Sequence, residues 1–490
     1  MHISLTMAAP APAATRLGSS CEPVALAHPG LSGIVPLADG HDAFAARALL
    51  ADAADRTLDV RYYIWHNDMS GTLLFAALHR AADRGVRVRL LLDDNNTTGL
   101  DGVLAALDAH PNIAVRLFNP FKLRRWRLLG YLTDFARLNR RMHNKSFTAD
   151  DQATIIGGRN VGDEYFDAGR AAAFVDLDVL AIGPVVHDVS RDFDRYWASA
   201  SAIPADRVLS RATARSLADL AAAAARVEHD PAAVAYVEAL ARTPFVRDLL
   251  ARRLPFEWAA AQMISDDPAK GLGGAPDAAL LWPRLRDGLD ASTGALKLVS
   301  PYFVPGRPGV EALAALAGKG VKIAVLTNSL EATDVAVVHS GYAKWRSALL
   351  AAGIALFELK RAPRSSVRKG ARRALLASGS SASSLHAKTF AVDRARVFIG
   401  SFNFDPRSAR LNTEMGFLID SPALADAIAR QFADEIPARA YQVRVGRGGA
   451  LQWIERLGTE EIVHEKEPGT SMGRRLAVSL LSVLPIEWLL

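Results

Sequence analysis

Residues 142–160 read MHNKSFTADDQATIIGGRN, and residues 385–403 read LHAKTFAVDRARVFIGSFN. Both stretches contain a His, a Lys two residues later and an Asp five residues after the Lys, and in both a glycine follows the His after fourteen positions. Each stretch has the pattern of a strand, a tight turn, a second strand and a Gly-rich corner. The repetition indicates that the chain contains two copies of one folding unit.

The regions that precede the two motifs repeat as well. Residues 58–96 and 296–330 each contain an apolar strand, an aromatic turn, an amphipathic helix and a second apolar strand. Strands that alternate with helices of this length indicate βαβ units. We therefore predict an α/β fold, in which two α/β/α lobes with mixed, largely parallel sheets are related by a pseudo-twofold axis.

The repeat also predicts the domain organisation. The first lobe is expected over residues 34–200 and the second over 278–436. Residues 201–277 are rich in Ala and Arg with helical periodicity, which predicts a helical insertion between the lobes. Residues 1–33 are expected to be a flexible leader. Residues 437–490 are expected to be a C-terminal tail, either docked on the core or lying on a membrane surface.

Composition narrows the class of protein. Half of the 490 residues are hydrophobic and 22% are charged, which excludes extensive disorder. The net charge of +6 suits a polyanionic partner, either nucleic acid or an anionic membrane. The single cysteine, Cys21, excludes an internal disulfide and a Cys-based zinc site. No stretch reaches the ~20 apolar residues of a spanning helix, and residues 1–20 lack the regions of a signal peptide.

The motif residues indicate phosphoryl chemistry. Because alternate residues of a strand point to the same side, the His and Lys of each copy reach one pocket, and the pseudo-twofold axis brings both pairs around a single phosphate. One neutral imidazole would attack phosphorus, and the other would protonate the leaving alcohol. The lysines supply positive charge, so neither a metal ion nor an organic cofactor is expected. The predicted catalytic set is His143, Lys145 and Asp150 with His386, Lys388 and Asp393, of which the two aspartates are expected to anchor the turns rather than touch substrate.

A second group of residues is predicted to support the pocket. A carboxylate bonded to the far nitrogen of each imidazole would fix its tautomer. Glu414 is the candidate in one half and Asp178 in the other, because each lies just ahead of an apolar strand. The residues expected near the phosphate oxygens are Asn160, Asn403, Gly158 and Ser401.

These motifs resemble the phospholipase D superfamily, whose signature is the duplicated His-x-Lys-x₄-Asp. Residues 141–166, residues 400–417 and the ending LLSVLPIEWLL are similar to bacterial cardiolipin synthases of the C-type subgroup. The resemblance implies transfer of a phosphatidyl group between phospholipids through a phosphohistidine, with cardiolipin as product. It implies that His143 is the nucleophile and His386 the acid and base. It also implies phosphatidylglycerol as acceptor and phosphatidylethanolamine as donor, and an accessory protein is a further candidate partner.

A basic segment precedes each motif. Residues 121–141 interleave arginines with Trp and Leu, which predicts an interfacial helix, and residues 359–385 have the composition of a flexible basic loop. The alternative is that both are ordinary solvated loops. We expect peripheral association with the bacterial inner membrane, or association through the C-terminal tail. The predicted lipid contacts are Arg124, Arg125, Trp126 and Arg127 in the first segment and Arg368, Lys369, Arg372 and Arg373 in the second.

Three other functions stay open. A hydrolytic phospholipase D would use the same phosphohistidine with water as acceptor. A nuclease of this fold would suit the basic charge, but the apolar residues of the first basic segment favour lipid, so no nucleic acid partner is expected. A catalytically inactive membrane-binding relative is disfavoured because both His–Lys pairs are intact.

Overall fold

A computed structural model describes residues 15–168, 173–361, 384–484 and 487. The strands are β1 (Ser32–Leu37), β2 (Thr57–Ile64), β3 (Arg87–Asn96), β4 (Ile113–Phe118), β5 (Ser146–Ala149), β6 (Ala153–Gly157), β7 (Phe174–Val175), β8 (Asp178–Ile182), β9 (Ala202–Pro204), β10 (Glu257–Ser265), β11 (Ala295–Val299), β12 (Lys322–Asn328), β13 (Ala355–Leu359), β14 (Ser384–Leu385), β15 (Thr389–Val392), β16 (Arg396–Gly400), β17 (Met415–Asp420), β18 (Ala440–Val445), β19 (Leu451–Leu457) and β20 (Glu460–His464).

The helices are α1 (Arg16–Leu26), α2 (Gly40–Ala53), α3 (Met69–Asp83), α4 (Asp101–Asp108), α5 (Arg127–Leu138), α6 (Pro184–Trp197), α7 (Ala214–His229), α8 (Pro231–Ala241), α9 (Pro244–Leu250), α10 (Leu281–Asp290), α11 (Gly306–Gly318), α12 (Ala336–Ala343), α13 (Arg346–Ala351), α14 (Pro406–Arg410), α15 (Pro422–Asp434), α16 (Ile436–Arg439) and α17 (Met472–Ser482). Some of the helices pack on these strands, and others, such as α7 and α17, pack on neighbouring helices.

One mixed sheet runs through both lobes, in the order β9-β4-β3-β2-β5-β6-β8-β1-β10-β17-β16-β15-β11-β12-β13-β18-β19-β20. Within this sheet, parallel pairing is confined to β2-β3-β4 in the first lobe and β11-β12-β13 in the second. The α/β class and the two related lobes are confirmed. Parallel pairs are fewer than predicted, because each motif strand, β5 or β15, runs antiparallel to its neighbour and returns through a hairpin.

The two motif hairpins turn through the same backbone conformation. Asp150 and Asp151 have φ of 53° and 57°, and Asp393 and Arg394 have φ of 51° and 54°. Two consecutive residues with positive φ form the mirror-image turn that matches the twist of a hairpin. Each motif Asp also accepts the backbone N–H groups of three consecutive residues that lead into the adjacent strand. These are Asp55, Arg56 and Thr57 for Asp150, at 2.8–2.9 Å, and Thr293, Gly294 and Ala295 for Asp393, at 2.7–2.8 Å.

In this geometry the two motif aspartates anchor the turns and the adjacent strands. They were included in the predicted catalytic set, and the structure places them outside it. Five residues of extended chain, roughly 16 Å, separate Asp150 from Lys145. Its carboxylate therefore lies at the opposite end of the strand from the His–Lys pair, where it fixes the start of β2.

Asp150→Asn is expected to lower the free energy of unfolding by about 1–2 kcal/mol, because one backbone donor loses its charged acceptor. Asn tolerates positive φ, so the change isolates the carboxylate. Asp151→Asn is the matched control, since that carboxylate binds the exposed His187 and contributes little. Urea denaturation followed by circular dichroism measures both. Equal losses in the two variants would contradict this assignment.

Three segments differ from the predicted domain organisation. Within the expected leader, α1 packs against the first-lobe core through Leu17 and Cys21. Within the expected insertion, β10 pairs with β1 on one side and β17 on the other, and so joins the lobes into one sheet. Within the expected tail, β18 to β20 extend the second-lobe sheet from β13. In the second lobe β10 pairs with β17 as β1 pairs with β8 in the first, and β18 pairs with β13 as β9 pairs with β4. The structural repeat is therefore longer than the repeat seen in the sequence, from which the boundaries were predicted.

Candidate active site

The two His–Lys motifs lie at the carboxyl ends of the parallel strands. The side chain of Asp93, in β3, accepts the backbone N–H of Met142 at 2.7 Å, and Asn328, at the end of β12, accepts that of Leu385 at 2.8 Å. Met142 and Leu385 directly precede the motif histidines. The equivalent strand of each lobe therefore fixes the backbone from which its His projects.

Each motif meets the other lobe immediately before its His. Met142 forms a parallel bridge with Thr413, and β14 pairs in parallel with β7. The backbone N–H of His143 donates to the Thr413 carbonyl at 2.9 Å, and that of His386 donates to the Val175 carbonyl at 2.7 Å. The next residue on each partner segment is acidic. Each imidazole is thereby aligned with a carboxylate from the opposite lobe.

The first imidazole is held as a neutral base. His143 Nδ1 lies 2.8 Å from Glu414 Oε2 and 3.1 Å from the Ser401 carbonyl oxygen. A carbonyl oxygen only accepts, so Nδ1 carries the proton and Nε2 presents its lone pair. Burial, together with the ammonium groups of Lys145 and Lys388, lowers the pKa of His143 well below 6.5. The residue is therefore neutral at neutral pH and suited to attack phosphorus.

The second imidazole has a more strongly ionised partner. His386 Nδ1 lies 2.5 Å from Asp176 Oδ2. Although burial opposes it, His386 and Lys388 lower the pKa of Asp176 far below its usual range. By contrast, burial raises the pKa of Glu414 to about 7 despite Lys145 beside it. Burial and Lys388 lower the pKa of His386, against the opposing effect of Asp176. A bound phosphate anion reverses part of this shift, so the ionised Asp176 favours His386 as the group that carries a proton.

Asp178 is not the carboxylate that contacts His386, and Asp176 replaces it. Asp178 Oδ2 accepts from the Arg47 guanidinium at 2.7 Å, and Oδ1 accepts the Arg159 backbone N–H at 3.1 Å. Both arginines are buried. Asp178 is the first residue of β8 and pairs with Gly157 inside the sheet, whereas Asp176 directly follows β7 at the lobe interface. Asp178 therefore stabilises the first lobe and lies outside the phosphate pocket.

The two motif lysines, Lys145 and Lys388, are fully buried against the motif backbone. Lys145 Nζ donates to the His143 carbonyl at 2.6 Å, and Lys388 Nζ donates to the His386 carbonyl. Burial lowers the pKa of Lys388 to about 8 and that of Lys145 well below 10.5. An ammonium group in so dry a position interacts strongly with an incoming phosphate oxygen.

The Gly-rich corners place small residues against the carboxylates rather than against the phosphate. The Ser401 hydroxyl donates to Glu414 Oε2 at 2.5 Å, and Gly158 occupies the corresponding position beside Asp176. Asn160 accepts the Ile64 N–H at 3.2 Å and donates to the Tyr165 hydroxyl at 3.1 Å, which fixes its amide. The buried Asn403 Oδ1 has no hydrogen-bond partner within the described part of the chain.

The comparisons with known proteins agree with this geometry. Residues 48–197 and 285–436 match the sequence family described as "Cardiolipin synthase, PLD-like domain". The chain belongs to this phospholipase D-like family. It is 52% identical to cardiolipin synthase C of Escherichia coli over 97% of this chain and 100% of the relative. An uncharacterized protein of Helicobacter pylori is 32% identical over 97% of this chain and 93% of the relative. The crystal structure of phosphatidylserine synthase from Haemophilus influenzae has the same fold, with a TM-score of 0.55 at 14% identity, covering 86% of this chain and 91% of that one.

The sequence did not predict the aromatic residues that contact the two motif histidines. The Tyr63 ring lies edge-on to His143 with centroids 5.0 Å apart, and the Tyr165 ring lies edge-on to His386 at 5.3 Å. Phe174 contacts His386 from a second side at 5.1 Å. Tyr63 lies near the end of β2, in the aromatic stretch of the repeat that was predicted as a turn, and this stretch was the available signal. Tyr165 and Phe174 lie between the motif and Asp176, where the two halves of the repeat differ in length.

Two arginines of the first basic segment, Arg124 and Arg127, were predicted to contact lipid but bind groups of the protein. Arg124 forms an ion pair with Asp94 at 2.6 Å, and Arg127 donates to the Asp94 carbonyl at 2.8 Å and to Thr97 at 3.1 Å. Both guanidinium groups hold the segment to β3, while Trp126 is 66% exposed. The Arg125 side chain, and Arg368, Lys369, Arg372 and Arg373, lie outside the described residues.

Gly158→Ala is expected to lower kcat on the order of 10²-fold. A Cβ at this position would lie 2.1 Å from Asp176 Oδ1, so Asp176 must move away from His386. Gly288→Ala is the control, because a Cβ at that glycine of α10 meets no atom within 4 Å. Steady-state turnover of the two variants is compared at a temperature at which both are fully folded. Unchanged kcat in Gly158→Ala would show that the position of Asp176 does not matter.

Proposed function

We propose that this protein transfers a phosphatidyl group from one phospholipid to another through a phosphohistidine, with cardiolipin as its main product. The observation that carries the proposal is the crossed arrangement in which each motif His contacts a carboxylate of the other lobe, at 2.8 Å and 2.5 Å. This arrangement gives one neutral and one protonatable imidazole in a buried cationic pocket. The similarity to cardiolipin synthase C supports phospholipid as the substrate class.

In the first step, His143 Nε2 attacks phosphorus of the donor lipid. A P–N bond forms and the P–O bond to the headgroup alcohol breaks, while His386 gives its proton to the departing oxygen. Lys145 and Lys388 balance the charge on the non-bridging oxygens. The products of this step are the free alcohol and a phosphatidyl group on His143.

In the second step, a hydroxyl of phosphatidylglycerol attacks the same phosphorus. Neutral His386 accepts the proton of this hydroxyl, the new P–O bond forms, and the P–N bond to His143 breaks. Cardiolipin leaves, and both imidazoles return to their starting protonation states. Water in place of the acceptor hydroxyl would give phosphatidic acid, the product of a hydrolase.

The donor and acceptor lipids can be assigned by product analysis. Purified protein is incubated with labelled phosphatidylglycerol, with and without phosphatidylethanolamine. Cardiolipin with release of glycerol or ethanolamine is the expected result, and the released alcohol identifies the donor. Phosphatidic acid as the sole lipid product would change the assignment to a phospholipase. Absence of any lipid product together with nicking of DNA would refute the proposal.

The proposal includes peripheral action at the bacterial inner membrane. The proposed substrates are phospholipids, which reside in the membrane. Among the described residues, no helix has the length and apolar character needed to span a bilayer. The exposed Trp126 of the arginine-rich segment 121–141 is the observation that supports attachment at the surface.

The pH dependence is expected to have an alkaline limb. Burial lowers the pKa of His386, so kcat/KM, which reports the free protein, should first fall as this general acid loses its proton. Burial also lowers the pKa of Lys388 to about 8, so kcat/KM should fall more steeply as pH rises through about 8. Bound phosphate raises the pKa of a neighbouring ammonium, so kcat should fall at a higher pH than kcat/KM. On the acid side, activity should persist below pH 6.5 because the pKa of His143 is lowered. Lys388→Arg should remove the limb near pH 8. A limb that is unmoved in this variant would exclude Lys388 as its cause.

A further inference from the structure

Two helices present apolar side chains to the outside of the molecule. In α5, Leu128 is 83% exposed and Leu132 is 81% exposed. In α17, Met472 is 78%, Leu476 59% and Leu480 62% exposed. Residues spaced by four lie on one face of a helix, so each helix carries an apolar stripe on its outward side. A surface helix that faces water normally places its polar side chains outward and its apolar side chains toward the core.

The first helix is fastened beside the catalytic pocket. Tyr131 of α5 donates to Asn95 Oδ1 at 2.8 Å, and Arg127 donates to the Asp94 carbonyl. Asp94 and Asn95 follow Asp93 in β3, the residue that fixes the backbone before His143. The stripe of α5 therefore stands at the carboxyl edge of the first-lobe sheet.

The second helix occupies the corresponding place on the other lobe. Arg474 of α17 donates to the Thr333 carbonyl at 3.2 Å, and α17 packs on α12, which begins three residues later. Thr333 follows β12, the equivalent of β3, whose Asn328 fixes the backbone before His386. The next residue, Asp334, accepts the Tyr302 hydroxyl at 2.8 Å and is one of the charges that act on Lys388.

The two helices thus flank one pocket although they arise from unrelated parts of the chain. One lies inside the first lobe and the other follows the whole repeat. Their sequences share only the exposed apolar stripe and an excess of basic residues: α17 contains two arginines and no acid, and the single acid of α5, Asp134, is paired with Arg137. A fluid anionic lipid surface requires these two properties and no detailed shape.

We propose that α5 and α17 form a pair of interfacial helices that seat the catalytic pocket on a surface of anionic phospholipid. This inference rests on the proposed function, since the substrate's acyl chains then stay in the bilayer while its phosphate reaches His143. The apolar stripes enter the headgroup boundary. Two of the arginines that were predicted to contact lipid, Arg124 and Arg127, instead hold the segment to β3.

The test uses the full chain with Leu128→Glu/Leu132→Glu, Leu476→Glu/Leu480→Glu and the fourfold variant. Val237→Glu/Leu250→Glu is the control, because these residues of α8 and α9 are also exposed but belong to the inter-lobe helices. Flotation with vesicles of equal parts phosphatidylglycerol and phosphatidylcholine measures binding. Turnover is measured on these vesicles and on a short-chain phosphatidylglycerol dissolved as monomer.

Each double variant should lose about tenfold in vesicle affinity and turnover, and the fourfold variant more, with turnover of the monomeric lipid within about twofold of the unmodified chain. Unchanged vesicle binding would overturn the inference. An equal loss of turnover on vesicles and on the monomeric lipid would also overturn it, because the helices would then be structural. A dimer of the unmodified chain that became a monomer in the variants, with vesicle turnover retained, would overturn it as well, because the stripes would then bind a second copy of the chain. An unmodified chain that floats with vesicles but transfers no phosphatidyl group on either substrate would refute the proposed function alone.

Discussion

Replacement of His143 by Ala is expected to lower kcat for phosphatidyl transfer by ~10⁴-fold or more, because the remaining imidazole, His386, cannot act as nucleophile and as general acid in the same step. Replacement of His386 by Ala should cost ~10²–10⁴-fold, the usual contribution of a general acid and base. Both values refer to natural phospholipids, whose alcohol leaving groups need a proton. Product formation from labelled phosphatidylglycerol measures both.

The two histidines should differ on an activated substrate. A phosphatidyl ester of p-nitrophenol has a leaving group that departs without protonation. His386→Ala should therefore release close to one equivalent of nitrophenolate in a rapid burst and then turn over slowly, because the second step still lacks its base. His143→Ala should show no burst. The opposite pattern would exchange the assigned functions of the two residues.

Asp176→Asn is expected to lower kcat on the order of 10³-fold, since an amide cannot stabilise the imidazolium of His386 and presents a donor to Nδ1–H. Glu414→Gln should cost only about tenfold, because burial has already raised the pKa of Glu414 to about 7 and a Gln oxygen still accepts from His143 Nδ1. Asp178→Asn is the matched control, two residues from Asp176 and without contact to either His.

Asp176 and Glu414 act through an imidazole. The pH profile of kcat therefore distinguishes a variant that loses this positioning from one that only loses stability. Loss of the Asp176 charge lowers the pKa of His386, and the optimum of kcat should move to lower pH in Asp176→Asn. The Asp178→Asn profile should keep its shape even though its stability falls. If Asp178→Asn lost more kcat than Asp176→Asn at equal folded fraction, the register assigned to this segment would be wrong.

The sequence predicted the lobes, the motif hairpins and the His–Lys pairs because these depend on local patterns that occur twice. It did not predict which acid contacts His386, since Asp176 and Asp178 are two residues apart and both precede an apolar strand. Only the pairing between β7 and β14 selects Asp176, and two-residue strands carry no periodicity. Glu414 was identified because it is the sole acid in its segment.

The sequence likewise did not predict which acidic residues the arginines of the first basic segment bind. Arg124 and Arg127 look unpaired along the chain, where the nearest acid is Asp134, but β3 brings Asp94 to them from thirty residues away. Within residues 121–141, Trp126, Leu128 and Leu132 are exposed, which the predicted interfacial helix requires. Exposure follows from helical spacing, whereas the partner of an arginine depends on the tertiary fold.

The central claim is that His143 carries the phosphatidyl group. It is tested by mixing His386→Ala with the p-nitrophenyl ester labelled at phosphorus, quenching in alkali, in which phosphohistidine is stable, and locating the label by peptide mass spectrometry. The expected result is stoichiometric label on the peptide that contains His143, and no label when His143→Ala is combined with His386→Ala. Label on any other residue, or rapid release of nitrophenolate with no labelled peptide, would contradict the mechanism.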